Sequence, residues 1–355
     1  MLRLVASERF QSVASRTPFL ASKARREGEE MFDLIAGFAK SQALFALVEM
    51  GVLARLSHGP LGAGRAVPNV PERNAALLLD AGCAIGLLRR KGEAYSLTAR
   101  GAALLGVPGL VPMIRHHSVM YRDMADPAAL LHGDTQPELA RFWPYVFGAA
   151  AAQDLDTARA YSDLMADSQR LVAEDTLRMV DLSGSAEVLD IGGGTGAFLA
   201  AVGRKHKGPR LHLFDLPAVA PGAGSRLRAA GLADRATITS GSFRDDALPR
   251  ADTVTLVRVL YDHADETVAA LLSKVFDALP AGGRLIVSEP MTGGARPSVA
   301  GDVYFAFYTF CMETGRARSQ DQIAAMLKAA GFERVETPAP RRAFVTSVVT
   351  ARKPA

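Results

Sequence analysis

Val188-Leu-Asp-Ile-Gly-Gly-Gly-Thr-Gly196 decides how the C-terminal half of the chain is read. Val188, Leu189 and Ile191 make a short apolar run of the kind that forms a buried strand, and Ala197-Phe-Leu-Ala-Ala-Val202 behind it has the character of a helix. The glycines between them let the backbone approach a ligand where side chains would collide. Gly192, Gly194 and Ala197 loosely satisfy the dinucleotide fingerprint, so a dehydrogenase is one reading of the loop.

Two acids bear on the choice. Asp190 stands at the end of the strand, immediately before the glycines, where a carboxylate would repel a pyrophosphate but can help hold the ammonium of an amino acid. That suits a cofactor carrying methionine. Asp215 ends the next strand, nineteen residues after Gly196, close to the spacing of about 20 expected for an acid that holds ribose hydroxyls. Either cofactor wants this residue, so it supports nucleoside binding without choosing.

Outward from the loop, apolar runs alternate with helical ones. Strands are expected at Glu187 to Ile191, Arg210 to Phe214, Ala236 to Thr239, Thr253 to Val259 and Arg284 to Ser288, with helices between them. This alternation predicts an α/β fold, a parallel sheet covered on both faces with ligands at the carboxyl ends of its strands. Phe332 to Thr337 and Phe344 to Ala351 read instead as a closing antiparallel pair.

The N-terminal half has a different pattern. Phe32, Leu34, Ile35, Phe38, Leu44, Phe45, Leu47 and Val48 recur at helical spacing, and so broad an apolar surface needs a partner, most simply a second copy of the chain. Helical segments through Pro71 to Asp80, the turn Gly86-Leu-Leu-Arg-Arg-Lys-Gly92 and the strand-like Ala94 to Thr98 follow in the order of a winged helix. Winged helices bind DNA or build dimers; the enzymatic half that follows favours the dimer, since fold alone does not set function. Between Pro108 and Asp154 lie helix formers and aromatic residues, and a continuous helix is expected from Thr157 to Val180. The expected organisation is a helical and winged-helix dimerisation and substrate-lining domain over 1–156, a connecting helix and linker over 157–185, and a catalytic domain over 186–355.

The chain has 355 residues with a formal net charge of +4, too little charge for a nucleic-acid tail, and no run of like charges. Cys83 and Cys311 stand far apart without ligand spacing, so neither a disulfide framework nor a metal site is expected. No apolar run reaches about 18 residues and no signal peptide is recognised. A cytoplasmic protein, soluble or peripheral to the inner or photosynthetic membrane, is the expectation.

Four ordered motifs then carry a specific likeness. Asp190 to Gly196, Phe214-Asp-Leu-Pro217, Val259-Leu-Tyr-Asp-His-Ala-Asp-Glu266 and Leu279-Pro-Ala-Gly-Gly-Arg-Leu-Ile-Val-Ser-Glu289 resemble the successive motifs of the class I small-molecule O-methyltransferases with an N-terminal winged-helix dimerisation domain. The resemblance implies a Rossmann-like domain with a mostly parallel seven-stranded sheet, S-adenosylmethionine as cofactor, no metal, no nucleic acid and a homodimer. It also implies that Gly192 and Gly194 support the methionine part, Asp215 the ribose and Leu216 the adenine face, with Ser242 and Phe243 flanking the base and Arg258 reaching the cofactor from its strand end. Family members often carry an acid for the adenine amine just before that Phe, where this chain has Gly241-Ser242; Asp245 and Asp246 are the candidates to replace it.

Catalysis departs further from the family. Phenol-methylating relatives place a general-base His where this chain has Tyr261, and a second supporting acid falls at Ala317, leaving Glu289. Methyl transfer is an in-line displacement accelerated largely by alignment, and a base is needed only as the oxygen loses its proton. An aliphatic alcohol, which gives up its proton late, therefore fits better than a phenol, with Tyr261 positioning the hydroxyl. His263 is the nearest candidate base, on the Tyr261 side only if the strand persists. His116, Met165, Tyr304 and Phe307 are candidates for the acceptor pocket, with His117 beside them.

Val257 to His263, Gly293-Gly-Ala-Arg296, Asp302 to Tyr308 and Arg341 to Ser347 resemble the carotenoid branch of the family, the hydroxyneurosporene O-methyltransferases of photosynthetic bacteria. A polyene acceptor needs a long apolar passage, which Val303 to Phe310 can line. Such an acceptor dissolves in lipid, and the stretch Leu2 to Arg26 mixes apolar and basic residues in a way that suits a bilayer surface.

Overall fold

The computed structural model describes residues 7, 13, 18–142 and 168–355. The chain divides into two compact units, Met1–Val107 and Pro108–Ala355.

In the first unit the described helices are Pro18–Ile35, Gly37–Glu49, Val52–Leu56, Ala63–Ala66, Glu72–Ala84 and Ala99–Gly106. They surround a small antiparallel sheet in the order β1 (Leu61–Gly62), β3 (Ala94–Leu97), β2 (Leu88–Lys91). Gly92, with φ +60°, supplies the left-handed residue that turns β2 into β3. Leu47, Leu53, Leu79 and Tyr95 bury the centre of the unit, and the Tyr95 hydroxyl finds its partner in Asp80 Oδ1 at 2.9 Å. Helix 72–84 followed by this hairpin is the winged arrangement expected from the sequence. On the first helices Met31, Phe32, Leu34, Ile35 and Phe38 are 59–76% exposed, an apolar stripe facing outward.

The second unit is built on a seven-stranded sheet in the order β6-β5-β4-β7-β8-β10-β9. Its strands are β4 Glu187–Ile191, β5 Arg210–Asp215, β6 Ala236–Ser240, β7 Thr253–Val257, β8 Arg284–Glu289, β9 Glu333–Glu336 and β10 Ser347–Arg352. β4 to β8 pair in parallel, while β10 runs antiparallel to both β8 and β9. Val188, Leu189, Val254, Leu256, Leu285 and Val287 are fully buried, as strands covered by helices on both faces must be. The strand order reverses between β4 and β7, so a crevice opens at their carboxyl ends, where the glycine loop and the segment after Val257 lie.

Two expectations shift. β7 stops at Val257, two residues before Val259, because Arg258 adopts φ +59° and leaves the extended conformation. The expected first domain ran to residue 156, whereas the compact units divide at Val107/Pro108. The reason is apolar packing: Met120, Leu130 and Leu139, from helices Leu110–Asp123, Pro127–His132 and Glu138–Phe142, bury against Tyr308, Cys311 and Met312 of the second unit. Of the expected connecting helix, residues 168–179 are helical; Thr157 to Ala166 and Asp167 lie outside the described residues. Among the described residues no single helix is long and apolar enough to cross a membrane.

Candidate active site

The loop after β4 takes its shape from three glycines with positive φ, Gly192 (+68°), Gly194 (+57°) and Gly196 (+76°). Gly192 N–H donates to Phe214 O at 2.8 Å, tying the loop to the end of β5. A Cβ on Gly192 would fall 2.8 Å from Val259 Cγ2, and one on Gly193 would fall 2.6 Å from Asp190 Oδ2. Among the described residues nothing lies within 4 Å of the position a Gly194 Cβ would take, so this is the face left open to a ligand.

Asp190 stands behind that loop and is 1% exposed. Thr255 Oγ1 donates to its Oδ1 at 2.6 Å, while Oδ2 is buried and has no hydrogen-bond partner among the described residues. Burial, with the nearby Asp215 adding to it and Thr255 opposing it, pushes the Asp190 carboxyl up to about 7. A cation in front of the loop would favour its ionised form and a pyrophosphate would oppose it. This donor set fits a cofactor with a cationic methionine end.

Asp215, half-buried at the end of β5, accepts from Gly194 N at 2.7 Å through Oδ2 and from Leu216 N at 2.7 Å through Oδ1. Burial pushes it up to about 6, against these two backbone bonds. Each carboxylate oxygen keeps a second lone pair for a hydroxyl. Ser242 and Phe243 follow β6; Gly241 lets them approach, since a Cβ there would strike the Phe214 ring at 2.7 Å. Asp246 Oδ2 accepts from Ser242 N at 2.8 Å, and Lys274 Nζ reaches the carbonyls of Phe243, Arg244 and Asp246 at 2.9, 2.6 and 3.1 Å. Asp246 thus fastens the loop from within.

After β7 the left-handed Arg258 leads into a 3-10 turn, Leu260–Asp262. A non-glycine residue in this region costs about 1–2 kcal/mol, and the surroundings hold it there. Arg258 N donates to Ser288 O at 2.8 Å, its Nη1 to Ser168 Oγ at 2.8 Å and its Nη2 to the Tyr261 hydroxyl at 3.3 Å. Glu289, fully buried at the end of β8, caps the turn: Oε2 accepts from Tyr261 N at 3.2 Å, and the nearby Leu260 and Val259 N–H groups favour its charged form. Burial pushes Glu289 up to about 7, with Arg318 drawing it down, and Oε1 is buried without a partner among the described residues. Burial likewise raises the Tyr261 phenol, so its hydroxyl stays neutral.

His263 points elsewhere. With the strand ended at Val257, the 3-10 turn places its ring edge-on to Phe243, centroids 5.2 Å apart, and its Nδ1 lies 3.4 Å from Arg244 Nη2. Burial and the charges of Arg244 and Arg318 press it down to about 3. So weak a base is poorly matched to proton abstraction at neutral pH.

A second polar cluster joins helix Leu110–Asp123 to the segment of Val299–Phe305, a π-helix, and Ala306–Cys311. His116 Nε2 and the Tyr308 hydroxyl hydrogen bond at 2.9 Å, His117 Nε2 and the Tyr304 hydroxyl at 2.6 Å. Burial lowers His116 to about 4 and lowers His117 too, so both rings are neutral. Phe307 packs partly buried against the same apolar cluster. Met165 lies outside the described residues. Arg258 and Tyr261 are close enough to act electrostatically on Tyr308, and Arg258 on Tyr304, so the turn and this cluster share one neighbourhood.

Sequence reasoning passed over Gly193 and Lys274. Gly193 lies in the quoted loop, but its task of making room for Asp190 shows only in three dimensions. Lys274 acts across 28 to 31 residues, which no local pattern reveals.

The chain belongs to the O-methyltransferases: the family's O-methyltransferase domain matches residues 121–333 and its dimerisation domain matches residues 32–106. It is an S-adenosylmethionine-dependent O-methyltransferase, and neither the dehydrogenase nor the DNA-binding reading is favoured. It is 55% identical to the demethylspheroidene O-methyltransferase of Cereibacter sphaeroides, over 99% of this chain and 94% of the relative. It is 49% identical to the demethylspheroidene O-methyltransferase of Rhodobacter capsulatus, over 99% of this chain and 88% of that one. Human N-acetylserotonin methyltransferase, solved in complex with S-adenosylmethionine, shares the fold with a TM-score of 0.80 at 24% identity, over 93% of this chain and 98% of that one.

Proposed function

We propose that the enzyme methylates the tertiary hydroxyl of a hydroxylated acyclic carotenoid. The observation that carries this reading is the 55% identity, across 99% of the chain, to a relative named for demethylspheroidene. The replacement of a base by Tyr261 supports it, since an aliphatic alcohol needs no early deprotonation. Bound S-adenosylmethionine supplies an electrophilic methyl group on a sulfonium.

This chain's residues bind and orient. Gly192 and Gly194 let the backbone meet the methionine part, with Asp190 behind the loop favouring its positive charge. Asp215 takes the ribose hydroxyls, Leu216 lies on the adenine face, and Ser242 and Phe243 flank the base, with His263 packed behind Phe243. Arg258 steadies Tyr261, whose neutral hydroxyl positions the acceptor oxygen, and Glu289 holds the turn that carries Tyr261. Tyr304, Phe307 and His116 line the acceptor side.

The dimerisation domain and the outward stripe from Met31 to Phe38 support a homodimer. A lipid-soluble acceptor also calls for contact with a bilayer, through residues 2–26. Equal flotation of the full chain and a deletion of residues 1–26 with anionic liposomes would remove that contact from the proposal.

The deciding assay incubates the purified protein with labelled S-adenosylmethionine and a panel of hydroxylated carotenoids, phenols and chlorophyll precursors. Label is expected in the acyclic carotenoid alcohols. Label in chlorophyll precursors or phenols alone would overturn the acceptor assignment.

A further inference from the structure

Arg318 is 1% exposed, and all five of its N–H donors have partners. Nε donates to Asp265 Oδ1 at 2.8 Å and Nη2 to the same oxygen at 2.6 Å. Nη2 also donates to His263 O at 2.8 Å, and Nη1 donates to Leu260 O at 2.9 Å and to Arg316 O at 3.0 Å. The Leu260 and His263 carbonyls stand on either side of Tyr261 and Asp262, so one side chain grips both ends of the 3-10 turn.

The two carbonyls between them are held by the same segment of chain. Arg316 N donates to Tyr261 O at 2.8 Å, and Thr314 Oγ1 donates to Asp262 O at 3.0 Å. Gly315 permits this approach, because a Cβ there would lie 3.0 Å from Tyr261 O and 2.9 Å from Thr309 O. The carbonyls of residues 260 to 263 are therefore all fixed by residues 314–318, while Glu289 takes the Tyr261 N–H. That segment is tied in turn to helix Ala306–Cys311, which carries Tyr308, by Ala317 N donating to Thr309 Oγ1 at 3.1 Å.

We propose that Arg318 is a positioning residue for methyl transfer, holding the turn so that the Tyr261 hydroxyl meets the acceptor oxygen. This rests on the role of Tyr261 given above and names what keeps that residue in place. Stability alone does not account for so deep a guanidinium. It faces one partly exposed carboxylate and three carbonyls, and a buried ion pair often adds nothing over apolar packing of the same volume. What the group supplies is geometry: a rigid planar fork with donors in fixed directions sets two turn carbonyls and the Asp265 carboxylate against one another. An in-line displacement depends on such placement. The charge of Arg318 also draws the buried Glu289 carboxyl down; a lysine would keep that influence but could not reproduce the fork.

The test measures Arg318→Gln, Arg318→Lys and Tyr261→Phe, and each Arg318 variant combined with Tyr261→Phe. Turnover is followed on whichever acceptor the panel identifies, and calorimetry gives the affinity for S-adenosylmethionine. Arg318→Gln is expected to lower kcat about tenfold, as much as Tyr261→Phe, and Arg318→Lys about threefold, with cofactor affinity within about threefold of wild type. In the Tyr261→Phe background either change should cost less than about twofold more, because the hydroxyl it positions is already gone. Losses that multiply in the double variants would overturn the proposal, as would wild-type turnover in Arg318→Lys or a fall in cofactor affinity as large as the fall in rate. Should the Arg318 variants not fold, Asp265→Asn loosens the same guanidinium from a partly exposed position. It should lower kcat about threefold in the wild type and leave Tyr261→Phe unchanged, and equal losses in both backgrounds overturn the proposal. Wild-type turnover in Tyr261→Phe alone would sink the reading of Tyr261 itself, which separates that failure from a failure of Arg318.

Discussion

Arg258 Nη2 donates to the hydroxyl of Tyr261 at 3.3 Å, from a backbone held in the left-handed region. The guanidinium thus fixes a phenol that burial keeps neutral. Tyr261→Phe removes the hydroxyl while keeping the ring. It should lower kcat about tenfold, as expected for a lost positioning contact, and leave cofactor affinity within twofold. Steady-state kinetics with calorimetry checks this, and unchanged turnover would take Tyr261 out of the site.

Asp215 holds the glycine loop through Gly194 N and its own strand end through Leu216 N, both at 2.7 Å. Asp215→Ala removes the loop's anchor together with the proposed ribose contact. Binding of S-adenosylmethionine should fall below detection by calorimetry. Wild-type affinity in this variant would refute the cradle as drawn.

The Asp190 carboxyl is pushed up to about 7, against about 4 in an unfolded chain. A folded-state value above the unfolded one means stability that is complete below about pH 4 and lost as pH rises through about 7. Asp190→Asn keeps the shape without the ionisation. Without ligand it should exceed wild type in stability at pH 8, by up to about 4 kcal/mol, and the gap should close by pH 4. Denaturant titrations at the two pH values measure this, and a gap that does not depend on pH would contradict the buried ionisation.

Much of this was legible in the sequence, for reasons that differ by element. β4 is found at Glu187–Ile191, the bounds read from its apolar run, because a strand covered on both faces has little choice of composition. The end of β7 was not legible: nothing in Val257-Arg258-Val259 announces a left-handed arginine, which is held by Ser288 and Ser168 from distant parts of the chain. The orientation of His263 followed from that same bend. The boundary at Val107 escaped because the helices after it resemble those before it, and only Tyr308, Cys311 and Met312 show which core they join. In the site, Asp190 and Asp215 could be found by their place beside glycines, whereas Lys274 needed the fold to show the loop it fastens.

The two His–Tyr pairs make the last prediction. His116–Tyr308 at 2.9 Å and His117–Tyr304 at 2.6 Å cross-link helix Leu110–Asp123 to the π-helical segment and its continuation. The two tyrosines sit near Arg258 on the proposed acceptor side, and the glycine loop that cradles the cofactor is built from other elements. Replacing both tyrosines by Phe removes two buried hydrogen bonds, each worth about 0.5–1.5 kcal/mol, and loosens that wall without altering its bulk. The variant should therefore raise KM for the acceptor about tenfold while the affinity for S-adenosylmethionine stays within twofold. A parallel loss of cofactor affinity would instead mean that the pairs support the whole catalytic unit rather than the acceptor side of it.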